Sequence, residues 1–292
     1  MKFTYLLSFA LLLTSSQSQA SPLDTKKIEA LTGIKGEYNE KEAVFKISYP
    51  RKDLHVTAAG VTITPAMGLT AWAAFTKPGD HTIVMGDIVL TEDQVNHAMS
   101  VALENGLEVT ALHNHFFFDT PKIMFMHIGG MGSEEQLATA VGKVFAALKE
   151  LKPTQDAFPH VALDPSKTSL SAKKIEDILG EKGQLKDGVY KVTIGRTTQM
   201  DGYEMGKAMG VNTWAAFIGS DERALVDGDF AMQESELQGV LKALRSSGIN
   251  IVAIHNHMAG EQPRIVFLHY WGVGSSVELA RGLKKALELR TR

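Results

Sequence analysis

Histidine carries most of the chemistry available to this chain. Six of its ten histidines fall into two matched triplets, His113, His115 and His127, then His255, His257 and His269. In an extended strand, residues i and i+2 leave the same face. His113 and His115 therefore point one way and Asn114 the other, and His255 and His257 do the same around Asn256. If the chain turns back near Thr120 and near Gln262, His127 comes opposite His113 and His269 opposite His255, with Cβ atoms about 5 Å apart. Three neutral imidazoles aimed at one point, with water in a fourth position, make an open zinc site, which lowers the pKa of that water toward about 7. The chain has no cysteine, so thiolate ligation and disulfides are excluded and any metal is held by nitrogen and oxygen. Imidazole with carboxylate suits zinc, copper, iron and nickel. The expected cofactor is accordingly a divalent transition metal, zinc first. Glu261, in the second expected turn, is placed as a fourth ligand or a general base, with Asp119 in the corresponding turn of the first triplet. Arg264, matched by Lys122, is placed to pair with an anionic group.

A single strand histidine is ordinarily a half-buried polar group with a hydrogen-bond partner. These triplets ask for more, because they persist through a duplication in which their neighbours change. From Met67 to Ser133 every residue has a counterpart 142 positions later: "MGLTAWAAF" against "MGVNTWAAF", Gly86-Asp87 against Gly228-Asp229, "ALHNH" against "AIHNH". Yet Phe116, Phe117 and Phe118 have become Met258, Ala259 and Gly260. Other matched residues signal less. Trp72 and Trp214 read as core sooner than as ligand platforms. The two Gly-Asp pairs read as turn or cap aspartates at strand ends, or as carboxylates that orient an imidazole. Tyr270-Trp271 stands only in the second copy, where the first has Ile128-Gly129, and aromatic residues beside a polar site suit a sugar or peptide face.

The elements that must position these residues read as α+β: two tandem repeats, each a mainly antiparallel sheet flanked by helices, packed as a pseudo-twofold pair. Asp24 to Leu31 and Ser171 to Leu179 read as helices stopped by Gly33 and Gly180. "EAVFKISYP" and "GVYKVTIGR" alternate apolar and polar as strands with one wet face. "TAWAAF" and "HTIVMGD" make a hairpin around residues 77–80, and Thr91 or Glu92 opens a helix to Glu104, matched by Gln233 to Ser246. "LEVTALHNH" and "INIVAIHNH" are strands by their β-branched content, "KIMFMHI" and "RIVFLHY" return beside them, and last helices run over Glu134 to Leu148 and Val277 to Leu289. The expected organisation is a signal peptide over 1–20, repeat 1 over 21–150, a linker over 151–169 with Pro153, Pro159 and Pro165, and repeat 2 over 170–292.

Lys2, the apolar run Phe3 to Leu13 and the small-x-small site Ser18-Gln19-Ala20 carry the signal-peptide reading. That run is much shorter than the roughly 20 residues that cross a bilayer, so no membrane span is expected after cleavage. With a formal net charge of -3 and no long block of one sign, nothing marks a surface for nucleic acid or anionic lipid.

The combination "MG-x-x-x-WAAF", Gly-Asp, "A-[LI]-HNH", "P-[KR]-I-x-F-x-H" and "G-x-G" resembles the DUF1259 family, also called LppY/LpqO, over nearly the whole mature chain in both copies. His255, Asn256, His257, Met258, Glu261, Pro263, Arg264, Phe267, His269, Tyr270, Trp271, Gly272 and Gly274 keep the family's pattern whole, whereas the first copy departs at Phe116, Asp119, Lys122, Ile128 and Gly129. The resemblance implies a bacterial exported protein of this two-copy organisation, and it singles out the second copy. Lacking a lipobox cysteine, the chain is expected to be free in the periplasm or secreted. Two functions follow. One is a metal-dependent hydrolase or lyase on a small or cell-envelope substrate, with His255, His257 and His269 on the ion, Glu261 handling protons and Arg264 steadying an anion. The other is a non-catalytic metal- or ligand-binding module of the periplasm.

Overall fold

The computed structural model describes residues 23–150 and 161–291; the expected signal peptide and residues 151–160 of the expected linker lie outside them. The first repeat runs α1 (Thr25–Thr32), β1 (Gly36–Asn39), β2 (Val44–Pro50), β3 (Val56–Ala58), β4 (Val61–Ile63), β5 (Thr70–Thr76), β6 (Thr82–Thr91), α2 (Glu92–Glu104), β7 (Glu108–His113), β8 (Asp119–Thr120), β9 (Ile123–Gly132) and α3 (Glu134–Glu150). The second runs α4 (Ala172–Leu179), β10 (Gly183–Lys186), β11 (Val189–Gly195), β12 (Thr198–Met200), β13 (Tyr203–Met205), β14 (Asn212–Gly219), β15 (Ala224–Gln233), α5 (Leu237–Ser246), β16 (Asn250–His255), β17 (Ile265–Gly274) and α6 (Ser276–Leu287). The protein is α+β, with two tandem repeats related by a pseudo-twofold axis. Each repeat supplies six strands to one twelve-stranded sheet of order β1-β2-β5-β6-β9-β7-β16-β17-β15-β14-β11-β10. None of the described helices is long and apolar enough to cross a membrane.

Strict alternation decides which face each residue takes. Along β5, Ala71, Ala73 and Phe75 are buried and Trp72 is not; along β14, Ala215 and Phe217 are buried between half-buried Trp214 and Ala216. The buried rows meet the helices, which pack on one face of the sheet and on each other, α2 on α3 and α5 on α6. Each fully buried side chain such as Phe75 or Phe217 contributes about 1.5–3 kcal/mol by leaving water. Capping fixes where the helices start. Asp24 accepts from the Lys27 N–H at 3.0 Å, and Thr91 with Gln94, like Gln233 with Glu236, forms a reciprocal capping box. Among the described residues no α-helix packs on the other face of the sheet, and all three residues of each histidine triplet belong to its side.

The repeats meet edge to edge. β7 and β16 pair antiparallel at a single ladder position, Leu112 opposite Ile254, because a bulge shifts each strand between Val109 and Ala111 and between Ile251 and Ala253. Val109 and Ile251 are left with backbone groups that no strand satisfies. Side-chain amides from the opposite repeat take them. Asn96 on α2 accepts from Ile251 N–H at 2.8 Å and donates to its carbonyl at 3.2 Å. Gln238 on α5 does the same for Val109, at 2.9 Å in both directions. Asn96 and Gln238 are counterparts in the duplication, as are Val109 and Ile251, so the contact is self-complementary in the manner of a twofold interface.

Two differences from the sequence expectation have local causes. The Gly-Asp pairs sit in the middle of ten-residue strands rather than at strand ends, since the apolar runs continue to Thr91 and Gln233. α5 starts later than Gln233, after a 3-10 turn at Glu234–Glu236. The uneven spacing before Met67 and Met209 lies in loops, four residues against two between β1 and β2 or β10 and β11, and five against two before β3 or β12. Both copies place an arginine just after the strand. Arg51 is fully buried and bonds Gln94 and the Val89 carbonyl, while Arg196 grips Glu236 through two bonds of 2.6 and 2.9 Å.

Asn96→Ala and Gln238→Ala should each cost about 1–2 kcal/mol in urea unfolding, because each strands a backbone donor and acceptor at the repeat junction. A cost near zero for both would remove the clamp from the stability of the junction. Glu236 gives a pH dependence. Burial pushes its carboxyl up, but bonds from Arg196, Thr291 and the Gln233 N–H prevail and hold it at about 2. A carboxylate depressed in the folded state adds stability above its ordinary value near 4.5, and that stability drains away as pH falls toward about 2. Unfolding midpoints measured across this window should fall less steeply in Glu236→Gln than in the wild type.

Candidate metal centre

The strand register draws the site. On the helix-free face of repeat 2, Thr193, Trp214, Asp229, His269 and Ala253 lie opposite one another in turn across β11, β14, β15, β17 and β16. Repeat 1 has the same row in Ser48, Trp72, Asp87, His127 and Ala111. Glycine makes the row possible. A Cβ at Gly228 would collide with the Trp214 carbonyl and the Tyr270 ring on the covered face, where the Tyr270 hydroxyl donates to that carbonyl at 2.9 Å. The Gly-Asp pair therefore puts the strand close on one side and the carboxylate on the other.

The third histidine is not opposite the first. His127 faces Ala111 and His113 faces Phe125; His269 faces Ala253 and His255 faces Phe267. The turns centre on Asp119 and Glu261 rather than on Thr120 and Gln262, and the two acids set that register. Asp119 accepts from the Ile123 N–H at 2.8 Å and Glu261 from the Ile265 N–H at 2.9 Å, which fixes the first residue of each returning strand. β3 pairs with β8 over the first turn, and Gln199 bridges to Gln262 over the second. The histidines still meet, along the diagonal, which is within reach of side chains of this length. His113 Nε2 lies 3.0 Å from His127 Nε2, and the His255 and His269 rings stack at 4.6 Å.

In repeat 2 a carboxylate joins them. Asp229, His255 and His257 each present a ligand atom within 4.8 Å of the others, and among the described residues they form the one such group that could hold a metal ion. His257 Nε2 is 3.2 Å from His255 Nε2 and 3.2 Å from Asp229 Oδ2. Ligands about 2.0–2.1 Å from a tetrahedral ion stand about 3.3 Å apart, so both separations match an edge of that tetrahedron. His257 lies flat on Phe267, 3.5 Å between centroids and 10° between planes, over a small apolar cluster of Val211, Ala231, Ile265 and Phe267. His269 directs Nδ1 at the Gly228 carbonyl, 3.3 Å away. A carbonyl only accepts, so Nδ1 is the donor in this contact.

The electrostatics suit cation binding. Burial pushes the Asp229 carboxyl up, against the opposing pull of His269 and His257. Burial, then the charges of His269 and His257, push His255 down to about 4, so its imidazole is neutral at pH 7. Asp229 Oδ1 and His255 Nδ1 are both buried without a hydrogen-bond partner. Unpaired buried polar atoms are costly, and these two belong to the same cluster. The donor set of carboxylate oxygen and imidazole nitrogen fits a borderline divalent ion.

Repeat 1 keeps all four counterparts but arranges them differently. His115 stacks on Phe125 at 3.4 Å and 5°, His113 sits between His115 and His127 with 5.1 Å between centroids on either side, and burial raises the Asp87 carboxyl. Its four side chains do not gather as Asp229, His255 and His257 do.

The remaining candidates lie elsewhere. Glu261 is 2% exposed and bonded to its own turn, outside the gathered ligand atoms. Arg264 is exposed and pairs with Glu234 at 3.3 Å, whereas Lys122 pairs with Asp119 at 2.9 Å. Asp229 takes the carboxylate place that the turn acids were expected to fill. Its signal was present in the duplication, where "IVMGDIVLT" and "LVDGDFAMQ" both set one acid at the same internal position of an apolar strand. Trp271 is on the helix-free face beside His269, opposite exposed Asp227, where repeat 1 has Gly129 and Met85.

Residues 26–147 and again 173–289 match the family model described as Domain of Unknown Function (DUF1259). No curated protein matches the chain, and no solved structure does. The two matched stretches take up most of the chain, one in each half-sheet, and the protein therefore belongs to the DUF1259 family and carries its domain twice.

Proposed function

We propose that repeat 2 binds a divalent transition metal, zinc first, through Asp229, His255 and His257 with His269 beside them. In this reading the protein is an exported metal-dependent hydrolase or lyase acting on a small or cell-envelope substrate. The observation that carries it is the convergence of three ligand atoms within 4.8 Å, two of the separations being 3.2 Å. A cation held there supplies Lewis acidity to a carbonyl or phosphoryl oxygen. The protein's own groups do the rest. Asp229 is buried and cannot swing away, Phe267 supports the His257 ring, and the Gly228 carbonyl fixes the tautomer of His269. His257 is exposed, so one side of the cluster is open to an incoming ligand, as catalytic sites require and closed structural sites do not.

A specific observation favours the second reading, a non-catalytic metal- or ligand-binding module of the periplasm. Glu261 and Arg264, the proton carrier and anion anchor expected from the sequence, are engaged by the Ile265 N–H and by Glu234. Turnover would then need another base, and His269 stacks on His255 at 4.6 Å, beside the cluster.

Elemental analysis of tag-free protein separates metal binding from none. One equivalent of a transition metal is expected in the wild type, with nearly complete loss in the double variant Asp229→Ala, His257→Ala; equal and negligible content in both would overturn the site. Chelation should lower the thermal midpoint, and re-addition at about 100 times Kd should return about 2.7 kcal/mol of stability, in the wild type alone. If metal binds, hydrolysis of envelope-derived substrates that is abolished by Asp229→Asn supports the enzyme, and stoichiometric metal without turnover supports the binding module.

A further inference from the structure

Repeat 2 has a second feature besides the Asp229 cluster. A groove of about 790 Å³ runs along the outer strands β10 and β11, lined by Lys182, Lys186, Lys191, Lys207 and Thr193, with Asp187 as its one acid. None of the four lysines makes an ion pair among the described residues, although neighbours of the same kind do, Lys173 with Asp177 and Lys174 with Asp221. Four unpaired ammonium groups around one concavity repel each other and favour an anion between them.

The counterparts in repeat 1 show that this is not a by-product of the fold. Lys182 corresponds to Lys35, which is paired with Glu29 at 2.7 Å; Lys186 corresponds to Asn39 and Lys207 to Pro65. Lys191 keeps its setting as well as its type, each repeat holding one lysine over its tryptophan, Lys191 at 4.0 Å from Trp214 and Lys46 at 4.4 Å from Trp72. The basic groove and the Asp229 cluster thus occur in the same repeat.

They are also on the same face. Thr193 lines the groove and is opposite Trp214, which is opposite Asp229. Two strand spacings separate Thr193 from Asp229, about 10 Å. A drug-sized ligand spans that distance, and the groove lies within the usual volume range for such ligands.

We propose that this groove binds the acidic end of an anionic ligand, a carboxylate or phosphate, whose other end reaches the Asp229 cluster. The lysines select the anion, and Trp214 holds the Lys191 ammonium in place by its ring face. The proposal names the ligand class of the site and, in its claim that the ligand reaches Asp229, rests on the metal reading; anion binding in the groove itself does not.

Isothermal titration of the tag-free protein with inorganic tripolyphosphate and, separately, with trigalacturonate tests it. Binding of at least one probe is expected, weaker at raised salt, and the pattern tells phosphate from carboxylate. Lys186→Gln and Lys207→Gln should each weaken binding about tenfold or more, whereas Lys46→Gln in repeat 1 should leave it unchanged. Asp229→Ala, His257→Ala removes the metal cluster and should leave groove binding measurable, so failure of the metal site and failure of the groove read differently. No binding of either probe, or binding indifferent to Lys186 and Lys207, overturns the proposal. So does an equal loss in Lys46→Gln.

Discussion

Asp229 meets the histidines because β14, β15, β17 and β16 are locked in one antiparallel register, and every feature of the site inherits that constraint. Side chains alternate between faces, so a slip of one residue in β15 would send Asp229 to the helix side and Gly228 to the open side. Gly228 blocks that slip in its own way. Trp214 and Tyr270 occupy the space where any Cβ would go, so no other residue fits the covered position. The turn acids secure the other end. By taking the first amide of the returning strand, Asp119 and Glu261 decide that the third histidine meets the first on the diagonal. A residue that looks catalytic from its type thus acts on the site through the backbone.

The two repeats show what the same frame does with different side chains. Both hold a Trp-Asp-His row and a histidine pair on the helix-free face, and in both, burial raises the aspartate. Among the described residues only repeat 2 brings carboxylate and imidazoles together, and a lysine-lined groove runs along the outer strands of that repeat. Repeat 1 instead exposes Phe117, Phe118, Met85 and Met131 on or next to the corresponding face, where repeat 2 has Ala259, Gly260, Asp227 and Val273.

Much of the fold was legible because its signals are local. Alternation in "TAWAAF" and "VYKVTI", the stops at Gly33 and Gly180, and the helix start at Thr91 each depend on residues a few positions apart. The tandem arrangement and its twofold were legible from the duplication. The single continuous sheet was not, since the pairing of Leu112 with Ile254 and the amide clamps of Asn96 and Gln238 join residues well over a hundred positions apart. The site divides likewise. His-x-His on one strand end could be read from period two, but Asp229 belongs to the cluster through a ladder two strands wide. A one-residue error in placing the turn centre moved His127 and His269 by two ladder positions.

The junction has a consequence for how such a chain could have arisen. A lone repeat would present β7 with its Val109 groups bare and an asparagine on α2 with nothing to hold, and a bare edge of that kind recruits another strand. Its self-complementary edge matches that of a second identical copy. Tethering them in one polypeptide keeps the pairing while releasing each half from having to serve both roles, so that one active surface can be elaborated as its sibling drifts. Two unlike halves in one polypeptide carry an asymmetry that a symmetric assembly of identical chains cannot encode.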